Sequence, residues 1–431
     1  MKSIALGAST ALAALTCLGS PAAAQLPGAL PMQPPAPVVT TDAGMGAAPA
    51  ESSGSYDMLS RMPGLSGVGT GVGRVDSPAR LYTEASYLLM FVSDNRSETP
   101  IATGGPSNGV IGRPGTTTLL DTGTSYNSIS GFKVGVGGLV GATSLGFELS
   151  GMAFGRTSDG TTISGGTLAR PFNDTVNRRE SSVVVASPGA FAGTLDVQSS
   201  FSAWGAEANP FFRLVQGNSV NFDVITGFRY FSADERFDVY DARRVLAGGV
   251  SAFNGIGVGN GGSLLVQDHV SARNQFYGGN IGGRLSYARG AFFVDTTAKI
   301  AVGGVHQIVT LDGTTTLVSG GGLVGAATTA GGFLANTGNG GRTSENRFAV
   351  LPEANLQVGY QLRSWANVFA GYQVMYLSNM ARAGDQVDRN INPNRLPTVN
   401  TFGSRGPSGA ATADSGDLFL HGFNFGFTLT Y

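Results

Sequence analysis

Charge is scarce in this chain of 431 residues. Asp, Glu, Lys and Arg make up 13% of it, against roughly 25% in an ordinary soluble domain. So few charges cannot cover the surface of a large soluble protein in the usual way. Lysine is scarcer still, confined to Lys2, Lys133 and Lys299. The net charge of −1 excludes nucleic-acid binding through a basic surface. The single cysteine, Cys17, lies in the leader, so the chain beyond residue 24 has no disulfide, thiolate metal site or Cys nucleophile. The three histidines, His269, His306 and His421, sit on separate segments without ligand spacing, and no metal site is expected. No GxxxxGK[ST] run precedes a helix, so no phosphate cradle and no cofactor is expected. Beyond the first twenty residues no stretch reads as a transmembrane helix.

Glycine fills the gap, with 66 residues. It disfavours helix by about 1 kcal/mol per position, which points to β structure. Residues 1–24 have the layout of a secretory signal: Lys2, an apolar stretch to Leu18, then Ala22, Ala23 and Ala24 before Gln25. Residues 25–80 open with Pro27, Pro31, Pro34, Pro35 and Pro37 and turn to Ala, Gly and Ser. Such a segment buries too little apolar area to offset its ordering entropy. It is expected to be a disordered linker that reaches toward the cell wall.

From Leu81 onward the hydrophobic period is two. In residues 419–431 the odd positions carry Phe419, His421, Phe423, Phe425, Phe427, Leu429 and Tyr431, and the even ones Leu420, Gly422, Asn424, Gly426, Thr428 and Thr430. Comparable alternation marks ten strands over residues 81–431. They are joined alternately by tight turns, near Ala142, Asn218, Arg289 and Ser364, and by long connections. That alternation is the plan of an all-β, transmembrane, antiparallel up-and-down β-barrel with long external loops. Short runs at residues 181–186 and 194–197 would make twelve strands if they span. Aromatics sort to the strand ends: Phe91, Trp204, Tyr230, Tyr277, Phe348 and Tyr376 outward, Phe212, Tyr287, Phe292, Tyr360 and Tyr431 inward, as two membrane interfaces favour. Outer-membrane lipid is the expected partner, and the oligomeric state stays open.

The register turns eleven charges into the lumen: Glu84, Lys133, Glu148, Glu207, Arg213, Asp223, Arg229, Arg284, Asp295, Lys299 and Glu353. Six acids and five bases favour neither ion sign. Arg213 with Asp223, and Arg284 with Asp295, stand near one another across hairpins. Ten strands lie nearer the filled barrel than the wide channel. Two readings follow: passive passage of small solutes or ions through a narrow polar lumen, or a plugged barrel acting as a structural or adhesive surface protein through its loops. No enzyme activity is expected. The distant alternative is an outer-membrane lipase, for which His269 and Ser271, with Asn274 nearby, have suggestive spacing.

Several stretches resemble the putative beta-barrel porin-7 family, outer-membrane proteins found chiefly in planctomycetes. They are Arg273, Asn274, Gln275, Phe276 and Tyr277; His306 with Gln307; Arg347 through Leu351 to Pro352 and Glu353; and Gly371, Tyr372, Tyr376, Ser378, Asn379, Arg382, Gly384, Asp385, Gln386, Asp388, Leu396 and Pro397. The ending His421, Gly422, Phe423, Asn424, Phe425 and Gly426 fits as well. The resemblance covers residues 81–431. It implies an outer-membrane barrel and little about cargo.

Overall fold

The computed structural model describes residues 81–93, 98–123, 126, 128–141, 143–319, 326–403 and 413–431. The expected signal (residues 1–24) and linker (residues 25–80) lie outside them. Ten long antiparallel strands form one ring: β1 (Leu81–Val92), β2 (Ile129–Leu139), β3 (Leu145–Ser164), β4 (Phe191–Gln216), β5 (Val220–Val245), β6 (Ser263–Arg289), β7 (Phe292–Ser319), β8 (Gly341–Arg363), β9 (Ala366–Ala381) and β10 (Ser415–Thr430). Each pairs with its chain neighbours, and β1 pairs with β10 from Tyr82↔Thr430 to Val92↔Leu420, which closes the ring. Closure removes every sheet edge from the lipid, as a span with no water to hydrogen-bond it requires.

The period of two sorts the side chains as expected. Phe132, Val134, Phe147, Phe228, Ile281, Leu356, Phe423 and Phe425 point outward and are exposed on β2, β3, β5, β6, β8 and β10. A soluble fold does not display such a band. On β6 it runs from Tyr277 to Tyr287, roughly 33 Å along a strand at about 3.3 Å per residue. Tilted by about 40°, that matches the apolar band of about 25 Å of outer-membrane barrels. Its outer edge is an aromatic girdle in which Trp204 meets Tyr230 at 4.7 Å and Tyr230 meets Tyr277 at 5.0 Å between ring centroids. At the inner edge Phe292 meets Tyr360 at 5.0 Å.

Two glycines allow inward aromatics to lie flat across the wall. A Cβ at Gly146 would stand 2.1 Å from the Phe211 ring, and one at Gly359 would stand 2.0 Å from Phe293. Each glycine is the register partner of that phenylalanine. Any larger residue there would displace the ring.

Two expectations change. The short runs at residues 181–186 and 194–197 do not add spans. The first belongs to a small strand, Arg179–Ala186, paired with Leu168–Asp174. The second is part of β4. The connections after β3, β5 and β7 also prove to be largely strand, because the strands that flank them run on into what was expected as loop. On β5, residues 231–245 run on past the girdle, roughly 50 Å along the strand. Just above the aromatics the outward side chains turn polar: Ser200 and Ser202 on β4, Asp234 and Arg236 on β5, Arg273 and Gln275 on β6. The alternation persists with its outer face rewritten for water, so these strands run on past their lipid-facing apolar residues.

Strands β3 to β8 thus stand above the membrane, while β1 and β2 stop near it. On the inner face of this raised wall the connections fold back as a second small sheet, which includes Pro100–Gly104, Thr117–Asp121 and Leu168–Asp174. Ile101, Leu168 and Phe172 pack there against Val197, Phe237, Val266 and Val309 of the wall. At the centre Arg170 pairs with Asp268 at 2.8 Å, both fully buried. The other Asp268 oxygen accepts from the backbone N–H groups of Leu334 and Ala335. Arg170 also lies 4.3 Å over the Phe333 ring. The charge that burial would penalise is therefore paired, and it ties two connections to the wall.

Candidate functional site: the barrel lumen

All eleven charges assigned to the lumen by register stand on the inner face of the ring. They occupy two levels. Nearer the hairpin turns, Glu84, Lys133, Glu148, Arg213, Asp223, Arg284 and Asp295 line a cavity of about 360 Å³ that opens at the turn end. Arg213 meets Asp223 in a two-point pair, 2.8 and 3.2 Å, as the hairpin suggested. Arg284 does not pair with Asp295. It reaches across the lumen to Glu148 at 2.6 Å, where Glu148 also accepts from the Tyr82 hydroxyl at 2.5 Å. The long guanidinium arm extends toward the axis rather than along its own hairpin, which places a carboxylate from the far wall within reach.

Above this cavity lies a cross-braced layer. Glu207 on β4 and Arg229 on β5 are register partners, and so are Lys299 on β7 and Glu353 on β8. Contacts also run between the two pairs: Arg229 Nη1 to Glu353 Oε2 at 2.5 Å, and Lys299 Nζ to Glu207 Oε2 at 2.5 Å. Arg229 Nε lies 3.3 Å from Glu207 Oε1. The four groups are at most 9% exposed. Asn209 donates to Glu207 at 2.8 Å and accepts from Asn280 at 2.9 Å. Gln373 donates to Glu353 at 3.3 Å. Two acids and two bases balance, so desolvation is opposed by pairing on every side.

The next level outward is apolar. Leu88, Met90, Met152, Phe154, Phe231, Phe276, Leu351, Met375 and Leu420 point inward and are 5% exposed or less. A water-filled channel would wet these faces. The lumen is therefore polar at the turn end and apolar at the next level outward, where the sequence led us to expect polarity throughout.

Sequence reasoning missed the residues that hold the outer mouth. Arg382, just past β9, donates through Nε and Nη2 to Glu235 on β5, each at 3.0 Å. The Ala383 N–H donates to Glu235 Oε2 at 2.8 Å. Asn274 grips the Ala381 backbone from both sides at 2.8 Å, and Gln307 donates to the Asn379 carbonyl at 2.6 Å. The Glu235 carboxylate draws the Arg382 guanidinium pKa upward against the burial that would lower it. Asn274, Gln307 and Arg382 all lie in the family-like stretches, which were the signal available. The outward face of β5 and β6 carries Asp238 bound to His269 Nδ1. Ser271 shares that face, but no hydrogen bond joins it to His269 among the described residues. Nor does any group of three or more His, Cys, Asp or Glu side chains converge as a metal site among them.

Solved structures to which the chain is similar include the outer-membrane protease OmpT of Escherichia coli. It is 9% identical, with 85% of this chain and 99% of that one covered and a TM-score of 0.38. A Pseudomonas aeruginosa FadL homologue is 8% identical, with 82% and 90% covered and a TM-score of 0.25. The outer-membrane OmpT of Vibrio cholerae is 9% identical, with 84% and 100% covered and a TM-score of 0.14. No curated protein matches the sequence. The model of the family described as putative beta barrel porin-7 matches residues 82–431, which takes in the whole ring, its braced lumen and the latched outer mouth. The chain belongs to that family and is an outer-membrane β-barrel.

Proposed function

We propose that this barrel is a closed anchor that holds a surface body above the outer membrane, with a structural or adhesive role. One observation carries the reading: two successive levels of inward side chains, one ionic and one apolar, are almost inaccessible to water. Ions cannot cross an oily layer of that kind without leaving their hydration shells. The raised wall and its packed connections are then the working part. Residues 25–80, outside the described residues, are assigned to contact with the cell wall.

Passive passage of small solutes or ions is the rival, and the polar cavity at the turn end favours it. Planar-bilayer recording of the purified full chain decides between them. The closed reading expects no conductance steps at physiological salt; regular steps would overturn it. We assign no enzyme activity. Esterase turnover that disappears with Ser271→Ala would reverse that assignment.

A further inference from the structure

The turn-end cavity holds charges that its own ion pairs leave over. Glu148 is matched by Arg284 and Asp223 by Arg213, and the layer above is internally neutral. Among the described residues Lys133 on β2 and Glu84 on β1 have neither an ion pair nor a hydrogen bond, and Asp295 on β7 has no ion pair. All three line the cavity. Glu84 stands opposite Gly135, and Lys133 opposite Ser86, so the two are diagonal neighbours on adjacent strands. β7 is five places from β2 round a ring of ten, which sets Asp295 on the facing wall.

Lys133 and Glu84 thus stand side by side without a direct bond between them, and Asp295 adds a second anion across the gap. We propose that the cavity binds a small diamino acid that enters from the turn end. Its α-carboxylate would lie on Lys133, its α-ammonium on Glu84 and its distal ammonium on Asp295. Each contact is a charge-assisted hydrogen bond, strengthened by the low-dielectric wall. Ser150, Ser286, Asn355 and Gln357 also line the cavity and supply neutral donors and acceptors. The volume of about 360 Å³ falls at the small end of ligand pockets, roughly 300–1,000 Å³, which suits one amino acid. The proposal needs an open mouth at the turns and no path through the braced layer, so it does not depend on whether the barrel conducts.

The test is calorimetric titration of the full chain in detergent micelles. L-Lysine is expected to bind saturably. L-Norleucine, which lacks the distal ammonium, and cadaverine, which lacks the carboxylate, should each bind about tenfold more weakly or worse. Lys133→Met, Glu84→Gln and Asp295→Asn should weaken lysine binding to a similar degree, with heat-modifiable migration on gels certifying each fold. No saturable lysine binding, equal binding of norleucine, or folded variants that bind as the parent does would each overturn the proposal. Failure of the closed-barrel reading would instead register as conductance.

Discussion

Arg229 on β5 and Glu353 on β8 meet at 2.5 Å across the lumen, three strands apart in a ring of ten. Hydrogen bonds along the wall join only neighbours, so this contact and its Lys299–Glu207 counterpart act as chords. Glu353→Gln leaves Arg229 with one carboxylate at 3.3 Å in a buried setting. The expected cost is about 3–5 kcal/mol, read from the urea midpoint of refolding into micelles or vesicles. The paired change Arg229→Met with Glu353→Leu should recover most of that loss, because it removes both charges together and leaves Lys299 with Glu207 in balance.

Glu235 is the carboxylate that Arg382 and the Ala383 N–H both address. Glu235→Gln should loosen the connection after β9 without opening the ring. Hydrogen exchange is expected to rise over residues 381–396, while β1 and β10 stay protected. Equal exchange in the variant and the parent would show that Asn274 and Gln307 hold the mouth unaided.

Phe425 lies midway along the lipid face of β10, and Phe419 at its outer edge. Phe425→Arg should destabilise the barrel by about 2–4 kcal/mol, and Phe419→Arg by roughly 1 kcal/mol or less. The contrast, measured by equilibrium unfolding in vesicles, reports depth in the bilayer. Equal penalties would place the membrane elsewhere on the wall.

His269 stands above the girdle, where the hydrogen bond to Asp238 holds its pKa above the ordinary histidine value, with burial opposing. The bond therefore favours the folded chain below the unfolded pKa of about 6.5, and that contribution is lost as pH rises through the folded value. Imidazole signals in a pH titration should show a midpoint above 6.5 that falls back in Asp238→Asn.

The barrel was legible because lipid imposes one rule on every span. Residues such as Phe423 and Phe425 against Asn424, and Glu207 and Arg229 on the opposite register, announce inside and outside without any tertiary knowledge. What contacts what inside was not legible. The Arg284 partner depends on strand tilt and on the width of the lumen, so Glu148 rather than Asp295 receives it. Leu88, Met90 and Leu420 share their inward register with polar residues, and nothing local says at what height the lining turns apolar. The raised strands were hidden for a related reason. Once the outer face carries Asp234, Arg236 and Arg273, a strand in water resembles a polar loop.

Strands β5 and β6 stay paired from Val220↔Tyr287 to Arg244↔Ser263 without a break in register. Span and surface body are thus one beam of hydrogen bonds, with no swivel where the membrane ends. A pull on the outer tip would load the ladder in shear along its whole length. The body keeps a set bearing toward whatever lies beyond the cell, the same in every copy, and it turns only when the barrel turns in the plane of the lipid.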